Sequence, residues 1–161
     1  MVNLLEQLGY SVVTEVGRKI IQEEILRNGT ALPWKNKVAF RDAMIDGEIK
    51  NFKAQDNSVL TFFDRSIIDV YGYSKLEQIA VTDLLLKCCD ELTYHKKVFI
   101  FPPWAAIYEN DIERKQDFTQ AVATYHEMKD AYEEFGYELI DVPKTSAPER
   151  AKFILENLNN C

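Results

Sequence analysis

The chain has 161 residues, enough for one domain with a sizeable core. Hydrophobic residues make up 47% and charged residues 28%, the balance of a soluble globular protein. A net charge of −7 and a pI of about 4.9 repel phosphate backbones, which argues against a nucleic-acid partner and leaves a local basic site for a nucleotide open. Three cysteines, Cys88, Cys89 and Cys161, have no metal-ligand spacing and no disulfide framework, so a reducing compartment is expected. Met1–Gly9 lacks the basic segment and apolar core of a signal peptide. The most apolar window, Val98–Ile107, is short and broken by Pro102 and Pro103, so no membrane span is expected. Together these place the protein in the cytoplasm.

In chain order, Val2–Leu8 has helical spacing and Gly9 is a plausible stop. Tyr10–Thr14 reads as a strand that runs into Glu15, Gly17 and Arg18. A helix from Arg18 to Arg27 carries Ile20, Ile21, Ile25 and Leu26 on one face and stops at Asn28-Gly29. The segment around Leu32-Pro33-Trp34 is a connector, and Lys37–Phe52 is a second long helix with Val38, Phe40, Ile45 and Ile49 among its apolar positions. Val59–Ser66 is an apolar, aromatic run that ends abruptly in Asp64, Arg65 and Ser66; such a run suits a strand buried on both faces in a parallel sheet. A short helix is then expected to end near Gly72, with Ser74 capping the next one and Glu77 completing its capping box. Lys97–Phe101 is a third strand closed by Pro102-Pro103-Trp104, because proline cannot donate to a ladder. Asp111–Phe135 is a long helix, Tyr137–Val142 a fourth strand and Pro148–Leu158 a last helix. Strands alternating with helices predict an α/β fold with a parallel sheet, here as a single domain over residues 1–161.

Five pieces carry a resemblance. They are Gly-Tyr-x-Val-Val-x-Glu-x-x-Arg at Gly9–Arg18, Leu-Pro-Trp at Leu32–Trp34, Phe-Phe-Asp-Arg-Ser at Phe62–Ser66, Pro-Pro-Trp-x-x-Ile-Tyr-x-x-Asp-x-x-Arg at Pro102–Arg114, and Gly-Tyr-Glu-Leu-Ile at Gly136–Ile140. In this order they resemble the NadR-like group of P-loop NTPases, which takes in the nicotinamide riboside kinase domain, the TRPL-translocation-defect protein and many predicted AAA-type ATPases. The resemblance implies a nucleoside-kinase-like, three-layer α/β/α fold that uses ATP and Mg²⁺, with a nucleotide and a small hydroxyl-bearing molecule as ligands. One departure is large. The family opens with a strand and a Gly-x-x-x-x-Gly-Lys-Ser/Thr loop that holds phosphates, and none of the six glycines here has that spacing. The chain therefore resembles the family without its first strand and P-loop, as if truncated at the N-terminus. That strand is central in the family. Without it, the strands at Val59–Phe63 and Lys97–Phe101 would close up and pair, or leave a slot of about 10 Å, two strand spacings, for another segment or chain, or the natural protein begins upstream, the favoured expectation. Open edges of that kind also invite self-association.

Placed on the family's pattern, Asp64 would hold Mg²⁺, through water, or take the acceptor hydroxyl's proton. Glu15 stands where related nucleoside kinases keep a substrate-binding or base carboxylate. Arg18 and Arg65 would meet substrate or phosphate oxygens, and Arg114 would reach the transferred phosphate from the lid region. The same residues have plainer readings: Glu15 and Arg18 as an i,i+3 pair, Asp64 or Ser66 as a helix cap, Arg114 as part of a solvated charged face. With the phosphate loop absent, the enzyme stands beside a second expectation, a degenerate, non-catalytic module that binds a nucleotide, a phosphoinositide or a protein. The polypeptide itself is expected to bind ATP weakly or not at all.

Overall fold

The computed structural model describes residues 1–107 and 118–159. Helix α1 (Val2–Gln7) leads through Gly9, at φ +90°, into strand β1 (Ser11–Val13). Helices α2 (Val16–Leu26) and α3 (Lys37–Lys53) follow, then β2 (Thr61–Phe63), α4 (Ile67–Leu76) and α5 (Asp83–Glu91). Strand β3 (Lys97–Ile100), a 3₁₀ turn at Ala105–Ile107, α6 (Phe118–Glu134), β4 (Glu138–Asp141) and α7 (Ala147–Asn159) complete the chain. The fold is α/β, and all the strand pairing among the described residues is parallel.

The strands do not form one sheet. β1 pairs with β2, Val13 opposite Phe63, and β3 pairs with β4, Phe99 opposite Ile140. β2 and β3 do not pair; instead their residues line a cavity of about 1120 Å³. Of the outcomes expected from the sequence, direct closure is the one not observed. The cavity also corrects the burial expected of Val59–Ser66. Only Thr61–Phe63 is strand and its residues are half-buried, while Val59 and Leu60 are exposed.

A second correction concerns Ser74. It lies inside α4, fully buried, and its hydroxyl donates 2.9 Å to the Val70 carbonyl one turn back. The break falls later, at Gln78 with φ +55°, and α5 takes its cap from Thr82, whose oxygen accepts 3.2 Å from Leu85 N–H. The buried Arg41 secures that linker by donating from Nη1 to the Ala80 carbonyl at 2.9 Å. The main core is formed by Ile67, Ile68, Val70 and Tyr71 of α4 with Leu85 and Cys89 of α5 and Ala131 and Tyr132 of α6. Both Cys88 and Cys89 are buried, and burial pushes the Cys89 thiol up to about 12, so these are packing residues. Cys161 lies outside the described residues.

α3 reaches the start of α2 at one glycine. A Cβ at Gly47 would stand 2.5 Å from Cγ1 of Val16, the residue after Glu15. This close approach sets Glu48 beside the carboxyl end of β1. Gly47→Ala therefore gains about 1 kcal/mol of helix propensity and loses more to the clash with a stiff, branched side chain. The expected net effect is destabilisation of about 1–2 kcal/mol, read as a fall in the thermal midpoint. An unchanged or raised midpoint would show that the helices are free to move apart.

Candidate functional site

β1 and β2 run in the same direction and end level, so Asp64, directly after β2, and Glu15, two residues after β1, stand at the same rim. The Asp64 N–H donates to the Val13 carbonyl at 2.8 Å, extending the ladder by one bond and fixing where the carboxylate leaves the strand. Glu15 is the residue before α2, and its carboxylate lies 3.7 Å from Arg18 Nε, so the plain i,i+3 pairing expected of these two is present. Arg65 sits between β2 and α4 with φ +78°, a left-handed backbone that a non-glycine residue adopts at a cost of order 1 kcal/mol.

What holds Arg65 there is a network at the start of α4. Ser66 caps the helix: its Oγ accepts from Ile68 N–H at 3.1 Å, and Asp69 Oδ2 accepts from Ser66 N–H at 2.9 Å, a complete capping box. Tyr132, buried on α6, donates to Asp69 Oδ2 at 2.6 Å and lies 2.7 Å from Ser66 Oγ. The other oxygen of Asp69 accepts from Arg65 Nη1 at 3.1 Å. Burial, then the charge and hydrogen bond of Asp69, raise the Tyr132 hydroxyl far above the ordinary tyrosine range, so it stays protonated and donates. For Arg65 burial pulls downward, and the charges of Asp69, Glu15 and Asp64 more than offset it. Its cation is therefore secure, and 41% of its side chain remains open.

The structure adds Glu48. It lies on α3, 3% exposed, and its carboxyl is pushed up to about 8 by burial first, then by the charges of Asp69, Glu15 and Asp64. Glu15, Glu48, Asp64 and Asp69 thus share one electrostatic neighbourhood with Arg65. Arg114 lies outside the described residues. Glu48 escapes an apolar-periodicity reading because it shares the buried face of α3 with Phe40, Arg41 and Ile45, a face that is half polar. The only signal for it is an acid one turn beyond Ile45. Asp69 was visible as an acid three residues after Ser66, the spacing of a capping box.

Asp64, Arg65, Ser66 and Asp69 are among the residues that line the cavity between β2 and β3. Among the described residues, no group of three or more His, Cys, Asp or Glu is arranged to hold a metal ion. A Mg²⁺ ion does not need one: it takes one or two carboxylates and fills its other positions with water and phosphate oxygens. The charges of Asp69, Glu15 and Asp64, which add to burial in raising Glu48, are ones a divalent cation would offset, so the donor chemistry at Asp64 fits. Nor is any helix among the described residues long and apolar enough to cross a membrane.

Glu48 gives a pH signature. Its folded value of about 8 lies above the ordinary 4.5, so the folded state holds a proton that the unfolded state releases. The stability that Glu48 contributes is fully present below about pH 4.5 and is lost, by a few kcal/mol, as pH rises to about 8. Glu48→Gln should flatten that decline in chemical unfolding measured at several pH values. An equal slope in both proteins would mean that Glu48 titrates normally.

A family model described as an AAA domain matches residues 1–150. No curated protein and no solved structure matches the chain.

Proposed function

We propose a function from the premise that this chain belongs to the AAA-domain family, of the P-loop NTPase type. It is a nucleotide-binding domain of nucleoside-kinase-like, three-layer α/β/α design, and its ligand is MgATP. The site is best suited to phosphoryl transfer to a small hydroxyl-bearing molecule. The observation that carries this reading is the pairing, at one strand rim, of Asp64 and Glu15 with the secured cation of Arg65.

Each residue has a role that its surroundings permit. Asp64 would hold Mg²⁺ through water, or accept the proton of the attacking hydroxyl. The metal, when bound, supplies positive charge to the phosphate oxygens. Glu15, on the same rim, orients the hydroxyl. Arg65, gripped on one side by Asp69 and open on the other, presents donors to phosphate oxygens. Arg18, and by family resemblance Arg114, add further donors. Glu48, neutral at physiological pH, keeps the neighbourhood from carrying one more negative charge toward a triphosphate.

A phosphate loop is the component these residues do not include. None of Gly9, Gly17, Gly29, Gly47, Gly72 and Gly136 belongs to a Gly-x-x-x-x-Gly-Lys motif, which favours a second reading in which this polypeptide binds without turning over. Calorimetric titration with MgATP addresses both. Residues 1–161 alone should bind with a Kd in the range of about 1 mM, or about −4 kcal/mol. Binding should weaken several-fold without Mg²⁺ and several-fold in Asp64→Asn. Micromolar affinity would contradict the part assigned to the missing loop, and no binding at about 10 mM would contradict the nucleotide reading itself.

A further inference from the structure

Arg65 holds Asp69 by a single bond. Nη1 donates to Oδ1 at 3.1 Å, while Nε and Nη2 have no partner among the described residues. Arginine and a carboxylate frequently meet by two parallel bonds instead, a fork against a fork. Here the second bond is blocked at the acceptor. Asp69 Oδ2 already accepts from Ser66 N–H at 2.9 Å and from Tyr132 O–H at 2.6 Å, with the Ser66 hydroxyl a further 3.5 Å away. A carboxylate oxygen offers two lone-pair sites, and both are filled.

The two donors differ in what else they do. Ser66 N–H is half of the capping box that starts α4. The Tyr132 hydroxyl comes from another helix, and neither the cap nor the docking of that helix depends on it. Ser66 Oγ accepts from Ile68 N–H with or without it. α6 is tied to α4 by Glu134, which accepts from Tyr71 at 2.7 Å and from Lys75 at 3.0 Å. The two helices are also in close contact at Gly72, where a Cβ would stand 2.8 Å from Met128 Cε. The Tyr132 ring packs in the core, edge-on to Tyr137 with centroids 5.6 Å apart, and a phenylalanine ring would keep that contact.

We propose that Tyr132 is a positioning residue: by filling Asp69 Oδ2, its hydroxyl keeps Arg65 singly bonded and leaves the Nε–Nη2 edge of the guanidinium for a phosphate-type oxyanion. A guanidinium has two such edges, and Nη2 belongs to both. Without the hydroxyl, Oδ2 has room for a second bond from Arg65. The cation then turns onto both oxygens of Asp69, more tightly held and closed to a ligand. That the oxyanion is a phosphate rests on the nucleotide reading. The open and closed arrangements of Arg65 rest on Asp69 and Tyr132 alone, so either can fail without the other.

The test uses residues 1–161, inorganic tripolyphosphate as the probe, and nuclear magnetic resonance of the arginine guanidinium groups, with Arg65 assigned by its absence in Arg65→Lys. Tyr132→Phe should weaken tripolyphosphate binding about tenfold, the loss of one hydrogen bond to a charged group. In the same variant without ligand, exchange of the Arg65 guanidinium protons should slow and rotation about its Cζ–Nε bond should be hindered. In an Arg65→Gln background, Tyr132→Phe should change binding no further. Four results would overturn the proposal: no tripolyphosphate binding by the unaltered chain at about 10 mM, equal binding by Tyr132→Phe, faster guanidinium exchange in that variant, or the same loss with Arg65 already replaced. Faster exchange would make the hydroxyl a plain support. If MgATP binds and Tyr132→Phe has no effect on either probe, the nucleotide reading stands and this proposal falls.

Discussion

Backbone pairing is the constraint on which this molecule turns. Each strand carries two rows of polar groups, and here each of the four has one row matched by a parallel neighbour. The inner rows of β2 and β3 face each other across a cavity instead of bonding. The helices keep them apart. α4 is built into α3, α5 and α6 through Ile67, Ile68, Val70 and Tyr71, while α1 rests on β1, β2 and α7. Closing the gap would mean breaking those packed contacts to gain a few hydrogen bonds, each worth about 1 kcal/mol net.

The same framework makes the charged rim. Because β1 and β2 are parallel and in register, Asp64, just after β2, and Glu15, two residues after β1, lie beyond the same ends of the two strands. Because Gly47 lets α3 touch α2, Glu48 is added to them. Crowded carboxylates would repel one another without compensation. Two devices provide it: Glu48 holds its proton at an elevated value, and Arg65 stays charged under the pull of three acids. Tyr132 and Ser66 then fix Asp69, so the guanidinium is oriented by a network that spans α4 and α6. This is pre-organisation: the positions are set by the fold before any ligand arrives.

Much of this was legible in the chain. The four strands fall where apolar, β-branched runs placed them, shortened by a residue or two at the ends, where ladders stop. Two features were hidden for identifiable reasons. Ser74 has the sequence look of a cap, with an acid three residues on, but its hydroxyl is satisfied inside α4, and the turn waits for Gln78. Glu48 sits on a buried face that also carries Arg41, and counting apolar positions cannot detect such a face; Val38, which that count includes, is 48% exposed. Whether β2 and β3 meet or stand apart is a matter of helix packing over long sequence distance, which no local pattern encodes.

Residue-resolved amide exchange of the chain alone tests the central claim most directly. If the inner edges are bare, Phe63 and Phe99 exchange quickly, while Phe62, Asp64, Val98 and Ile100, which face β1 or β4, are slow. Equal protection of Phe63 and Phe99 with those neighbours would mean that β2 and β3 are paired, and would contradict the account.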